Sequence, residues 1–146
     1  MQAHSTSSFC VDLLPFHIGE NMRQFSILVV DDNLINRRLA KLMLEALGHS
    51  VDLAKNGREA VRAVQCHSYD VIFMDMHMPI MDGMDATHAI RTMDYPKNCT
   101  KIIGFTGDAS LNNRDAYMAT GFDDIIFKPI DLNIFSEILK KCLGGC

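Results

Sequence analysis

The sequence is short of basic charge, of paired cysteines and of long apolar runs, and each shortage closes a class of function. Fourteen Lys and Arg stand against eighteen Asp and Glu, for a net charge of −4. That leaves no positive field for a nucleic-acid backbone or an anionic membrane surface. The five cysteines, Cys10, Cys66, Cys99, Cys142 and Cys146, are odd in number and contain no CxxC pair. They suit a reduced, cytoplasmic protein better than a disulfide framework. Cys146, beside Gly144 and Gly145, is the one expected to be most exposed. No apolar stretch approaches the roughly 20 residues that a membrane-spanning helix needs. The stretch from Phe9 to Ile18 is broken by Asp12, Pro15 and His17 and has no basic leader, which argues against a signal peptide. No GxxxxGK phosphate loop, internal repeat or low-complexity segment occurs.

What remains is the composition of an ordinary globule, 48% hydrophobic and 22% charged over 146 residues. A chain of this size makes one domain and buries about two-thirds of its unfolded surface without staples. Residues 1–24 show little periodicity and read as an N-terminal tail or linker; the domain is expected over 25–146. From Phe25 the pattern alternates. Apolar runs end at Val30, Ala54, Met74, Phe105 and Phe127, and each is followed by a segment of helical character. The first of these segments has Ile35, Leu39, Leu42, Met43, Ala46 and Leu47 at helical spacing, with Gly48 as its stop. Ser110 and Asp131 are expected to cap the last two helices, and Ile134, Ile138 and Leu139 to face inward from the final one. Five strands alternating with five helices imply an α/β fold, a (βα)5 doubly wound parallel sheet of the flavodoxin-like order 2-1-3-4-5.

That order makes the ends of the strands chemically coherent. Asp31 and Asp32 follow strand one, Asp75 follows strand three, Thr106 ends strand four and Lys128 follows strand five. In such sheets the carboxyl ends of the strands converge on the ligand edge, and strands one and three are neighbours there. Taken singly, each residue has a plainer reading. Adjacent acids can be a solvated turn or a helix N-terminus, Thr106 can satisfy a strand-end carbonyl, and Lys128 can be a surface lysine. Their shared structural position is what points to a site. Clustered carboxylates attract a hard cation such as Mg²⁺, and a cation beside a lysine attracts a phosphate-like group. Asp75 can act as a nucleophile and form an acyl phosphate. Asp32, Asp75 and the backbone carbonyl of His77 can coordinate the metal, with Asp31 acting through water. Mg²⁺, Lys128 and the Thr106 hydroxyl can then each meet one oxygen of the transferred group.

The stretches Ile27-Leu-Val-Val-Asp-Asp-Asn33, Val71-Ile-Phe-Met-Asp-Met-His-Met-Pro-Ile-Met-Asp-Gly83, Ile102-Ile-Gly-Phe-Thr-Gly107 and Asp123-Asp-Ile-Ile-Phe-Lys-Pro-Ile130 resemble the receiver domains of two-component response regulators. Asn33 and the Met-Pro-Ile-Met-Asp-Gly loop make the chain most similar to receivers of hybrid histidine kinases. The resemblance implies that Asp75 accepts a phosphoryl group from phosphohistidine on a kinase or phosphotransfer protein, in a Mg²⁺-dependent reaction. Such a domain catalyses only its own phosphorylation and dephosphorylation, so it is not an enzyme in the usual sense. The resemblance also implies a cis peptide at Lys128-Pro129 and allows a homodimer through helix four, strand five and helix five.

The chain departs from the family at three places. Ile125 stands where an aromatic switch residue is usual, Gly107 stands where alanine is usual, and His77 lies two residues after Asp75. Phe127 shares the face of Ile125 at another depth. His77 reads first as an exposed loop residue, although a role as metal ligand, base or phosphodonor stays open. The run Met74, Met76, Met78, Met81 and Met84 reads as packing before it reads as a partner groove. Two other functions stay open as well: an unphosphorylated interaction module, and an aspartate-nucleophile phosphohydrolase.

Overall fold

A strand with apolar residues on both faces has to sit inside a sheet, and β1 (Ser26–Val30) does so. It pairs in parallel with β2 (Ser50–Ala54) on one side and β3 (Val71–Asp75) on the other. β4 (Lys101–Thr106) joins β3, and β5 (Asp124–Phe127) joins β4, which gives the order 2-1-3-4-5. The computed structural model describes residues 24–107 and 114–143. Residues 1–23 of the expected tail, Ser110 and Cys146 lie outside the described residues. Among the described residues, four helices connect the strands, α1 (Leu34–Ala46), α2 (Gly57–Cys66), α3 (Gly83–Arg91) and α4 (Arg114–Thr120), and a fifth, α5 (Leu132–Leu143), follows β5. A 3-10 turn, Lys97–Cys99, precedes β4.

Strand alternation divides the sheet's side chains between two cores. Ile27, Val29, Phe73 and Phe105 face α1 and α5, whereas Leu28, Ile72 and Ile102 face α2, α3 and α4. Phe135 of α5 is fully buried and meets Phe73 edge-on at 4.9 Å between ring centroids. The methionines near Asp75 belong to the second core: Met74 and Met76 are buried, and Met78, Met81 and Met84 pack against it.

The helices start at the C-terminal edge of the sheet and are capped there. Asn33, Asn56, Asp82 and Asp131 each accept the N–H of the residue three positions on, at 2.9–3.0 Å. α1 stops as expected. Gly48, at φ +97°, donates its N–H to Glu45 O, and His49 donates to Leu44 O, the bonding pattern of a glycine-terminated helix.

Two helix faces hold detail that the sequence reading did not supply. The buried side of α1 is Ala40 and Leu44, continued by Leu47, while Ile35 is 74%, Leu42 65% and Leu39 47% exposed. The apolar spacing correctly marks a helix, but the larger residues line its outer face. On α5 the deepest residue is Phe135, with Ile138 and Leu139 beside it and Ile134 only partly covered.

Candidate functional site

Each of the five site residues stands where a strand gives way to a loop, so the backbone ladder fixes its position before any side chain acts. Asp31 extends β1, its N–H donating to Ala54 O at 3.2 Å. Asp75 closes β3 opposite Phe105. Thr106 closes β4, and its carbonyl accepts the N–H of Lys128 at 2.8 Å, which carries the β4–β5 pairing one residue past the strand. The Lys128-Pro129 peptide is cis, as the resemblance implies; Tyr95-Pro96 is cis as well.

The side chains converge. Asp31, Asp32 and Asp75 each offer a carboxylate oxygen within 4.8 Å of the others. Asp31 and Asp75 are buried and Asp32 is exposed, so the cluster opens to solvent on the Asp32 side. Lys128 Nζ lies 3.2 Å from Asp31 Oδ2 and 3.2 Å from Asp75 Oδ1, bridging the two buried carboxylates. Thr106 is buried at the end of the neighbouring strand.

The electrostatics follow from this crowding. Burial, and then the Asp31 carboxylate, push the Asp75 carboxyl up to about 6; Lys128 and the His77 N–H, 3.4 Å from Asp75 Oδ1, work against the rise without cancelling it. Burial pulls Lys128 down, but the Asp75 and Asp31 carboxylates outweigh it, and the ammonium is held above its ordinary value. All three acids present oxygen alone, with no thiolate or imidazole among them. This donor set fits a hard, oxygen-seeking cation and suits Mg²⁺, which keeps several of its waters. Asp31, Asp32 and Asp75 would hold it. The His77 side chain is exposed, in keeping with a loop residue.

Three supports were not legible in sequence. The Asn33 N–H donates to Asp31 Oδ1 at 2.9 Å, and Arg37 donates to the Asp31 carbonyl at 2.8 Å, so the first turns of α1 hold Asp31 in place. Gly83 opens α3 directly against the other acid. A Cβ there would come 2.2 Å from the Asp75 carbonyl, so only glycine lets α3 start this close. The Asp82-Gly83 pair was a visible signal for a turn; nothing in the spacing singled out Arg37. At Gly107, by contrast, a Cβ would meet nothing within 4 Å, so the usual alanine would fit.

Comparison with known proteins leads to the same place. The family model for the response regulator receiver domain matches residues 27–140. The chain is 35% identical over 147 residues to probable histidine kinase 1 of Oryza sativa subsp. indica, covering 80% of this chain and 15% of that protein. It is 37% identical over 120 residues to hybrid signal transduction histidine kinase F of Dictyostelium discoideum, covering 80% of this chain and 11% of that one. The chain thus spans a small part of these relatives. Among solved structures, the receiver domain of sensor histidine kinase PA1611 from Pseudomonas aeruginosa PAO1 superposes with a TM-score of 0.76 at 33% identity, covering 84% of this chain and 99% of that one. That structure has a magnesium ion coordinated in its active-site cleft. The receiver domain of Saccharomyces cerevisiae Ssk1, solved with the histidine phosphotransfer protein Ypd1, gives a TM-score of 0.76 at 26% identity over 84% of this chain and 91% of that one. With a matching family model over most of its length, a 2-1-3-4-5 sheet and an acidic cluster at the sheet's carboxyl edge, the chain belongs to the response regulator receiver domains of two-component signalling.

Proposed function

We propose that the domain is a phosphoacceptor in which Asp75 takes a phosphoryl group from phosphohistidine and changes conformation for a partner. One observation carries this reading: a lysine 3.2 Å from two buried carboxylates, with a third carboxylate open to solvent beside them. An Asp75 oxygen attacks phosphorus, the imidazole nitrogen of the donor leaves with the bonding pair, and an acyl phosphate remains. Lys128, already in reach of Asp75 Oδ1, holds one oxygen of the incoming group, and the Thr106 hydroxyl holds another. Asp32, Asp75 and the His77 carbonyl would hold Mg²⁺, with Asp31 acting through water; when bound it would neutralise the acids and stabilise charge on the phosphoryl oxygens. The same residues support later hydrolysis, so the catalysis acts only on the domain itself.

The donor is a histidine kinase or a histidine phosphotransfer protein. Two facts support it: the relatives are histidine kinases, and a related receiver was solved with a phosphotransfer protein. α1 also leaves Leu34, Ile35, Leu39 and Leu42 exposed beside the site. Leu39 shares a cavity of about 350 Å³ with Asp31 and Lys128, so an apolar surface runs up to the reacting groups. A donor protein seated there would bring its phosphohistidine to Asp75.

Beryllofluoride, which adds to an aspartate carboxylate as a phosphoryl mimic, tests the site. With Mg²⁺ it should raise the melting temperature of the wild-type chain and leave Asp75→Asn unmoved. A rise in Asp75→Asn, or none in a folded wild type, would overturn the assignment.

A further inference from the structure

Gly104 of β4 lies on the same face of the sheet as Thr106, and its partner across the ladder is Ile125 of β5. A Cβ at Gly104 would lie 2.8 Å from Ile125 Cδ1, 2.8 Å from Met76 Sδ and 3.1 Å from Phe122 Cδ1. Three side chains from separate segments therefore meet in the space that a side chain at 104 would fill. All three are buried, and they belong to the core beneath α2, α3 and α4.

Met76 is the residue after Asp75, and its main chain is held on both sides. Its N–H donates to Phe105 O at 2.9 Å, and its carbonyl accepts the Gly83 N–H at 3.1 Å. Adjustment next to Asp75 thus falls to the Met76 side chain, an unbranched thioether that repacks easily. Ile125 has no ring to rotate. The space where a ring could have coupled Thr106 to β5 is instead shared with a side chain that comes from the Asp75 strand.

We propose that Met76, through the space over Gly104 that it shares with Ile125 and Phe122, carries the state of Asp75 to β5 and α4. The inference rests on the reading of Asp75 as phosphoacceptor. Drawing the Thr106 hydroxyl toward a group on Asp75 changes the room on the face it shares with Gly104. A close-packed interior answers such a change by a discrete repacking. Met76, Ile125 and Phe122 are the side chains placed to repack, and β5 and the start of the α4–β5 surface move with them.

The test uses the full chain with beryllofluoride and Mg²⁺, following amide exchange over residues 114–127 by mass spectrometry. Phosphorylation by acetyl phosphate is measured in parallel as a gain in intact mass. Ile125→Val removes Cδ1, the atom that reaches into this space; Met76→Leu is the second variant. Wild type should show an exchange change over 114–127, and each variant should lose most of it, by about threefold or more, while still gaining one phosphoryl group. An unchanged exchange response in both variants would overturn the proposal. So would a wild type that gains mass without any response over 114–127, which leaves the Asp75 assignment intact. A folded wild type that gains no mass would instead overturn that assignment, and this inference with it.

Discussion

Burial and the Asp31 carboxylate keep a proton on Asp75 up to about pH 6, against an ordinary 3.8. The folded state therefore holds this proton more tightly than the unfolded chain does. The stability associated with it is fully present below the unfolded value and is lost as pH rises through about 6. In metal-free protein, Asp75→Asn should be more stable than wild type at pH 7.5, by about 1–2 kcal/mol. The gap should close toward pH 4. Thermal melts of both proteins across that range check it, and saturating Mg²⁺ should narrow the gap at pH 7.5. Ile80 carries local backbone strain. It has φ +73°, is 70% exposed, and sits in a tight turn in which Met81 N–H donates to Pro79 O at 2.8 Å. A β-branched side chain is strained in that region and gains little from burial here. Ile80→Asn should raise stability by about 0.5–1 kcal/mol in denaturant melts. Asp31, Asp32, Asp75, Thr106 and Lys128 were legible in sequence because each ends an apolar run, and strand ends converge in a parallel sheet. Ile80's backbone was not, because isoleucine carries no propensity for positive φ. The roles of Asn33 and Arg37 at Asp31 depend on the exact entry angle of α1, which spacing does not encode.

At the scale of elements, the pieces far from the site are tied by single side chains. Arg91 at the end of α3 donates to the carbonyls of Gly121, Asn98 and Thr100 and pairs with Asp123 at 2.8 Å. Asp123 in turn accepts the Ile102 N–H, so α3, β4 and the approach to β5 share one junction. Arg91→Met leaves those carbonyls short of partners and should lower stability by about 2–4 kcal/mol in chemical denaturation. Lys97 ends α2 in a similar way, donating from Nζ to the carbonyls of Val64, Gln65 and His67. Asp124, on β5, pairs with Arg114 of α4 and Lys141 of α5. Burial alone would push its carboxyl up, but the hydrogen bonds from Arg114, the Ile125 N–H and Lys141 hold it below the ordinary range. Among the described residues, the order of strands and helices could be read from periodicity, and so could the caps at Asp131 and Gly48. The facing of α1 could not. Its outer positions carry Ile35, Leu39 and Leu42, and a rule that larger apolar residues point inward selects the wrong side. Phe135 escaped for the opposite reason: the Ile134, Ile138, Leu139 pattern is already a plausible helix face without it.

For the whole molecule, the parallel order 2-1-3-4-5 places the acidic cluster next to a helix with exposed apolar side chains, and the two surfaces can be separated by experiment. Ile35 is 74% exposed, so Ile35→Glu should leave the fold and the reaction with acetyl phosphate within about twofold of wild type. The same change should slow transfer from a phosphohistidine-bearing protein by about tenfold or more. Equal slowing with both donors would place the defect in the site rather than on α1. No described helix is long and apolar enough to cross a membrane. The function proposed for the domain rests on Asp75 as a Mg²⁺-dependent phosphoacceptor. Its most direct test is the intact mass of the chain after incubation with acetyl phosphate, with and without Mg²⁺, beside Asp75→Asn. Wild type with Mg²⁺ should gain one phosphoryl group, and neither the variant nor wild type without the metal should gain any. An equal gain in Asp75→Asn, or a folded wild type that stays at its starting mass with Mg²⁺ present, would contradict it.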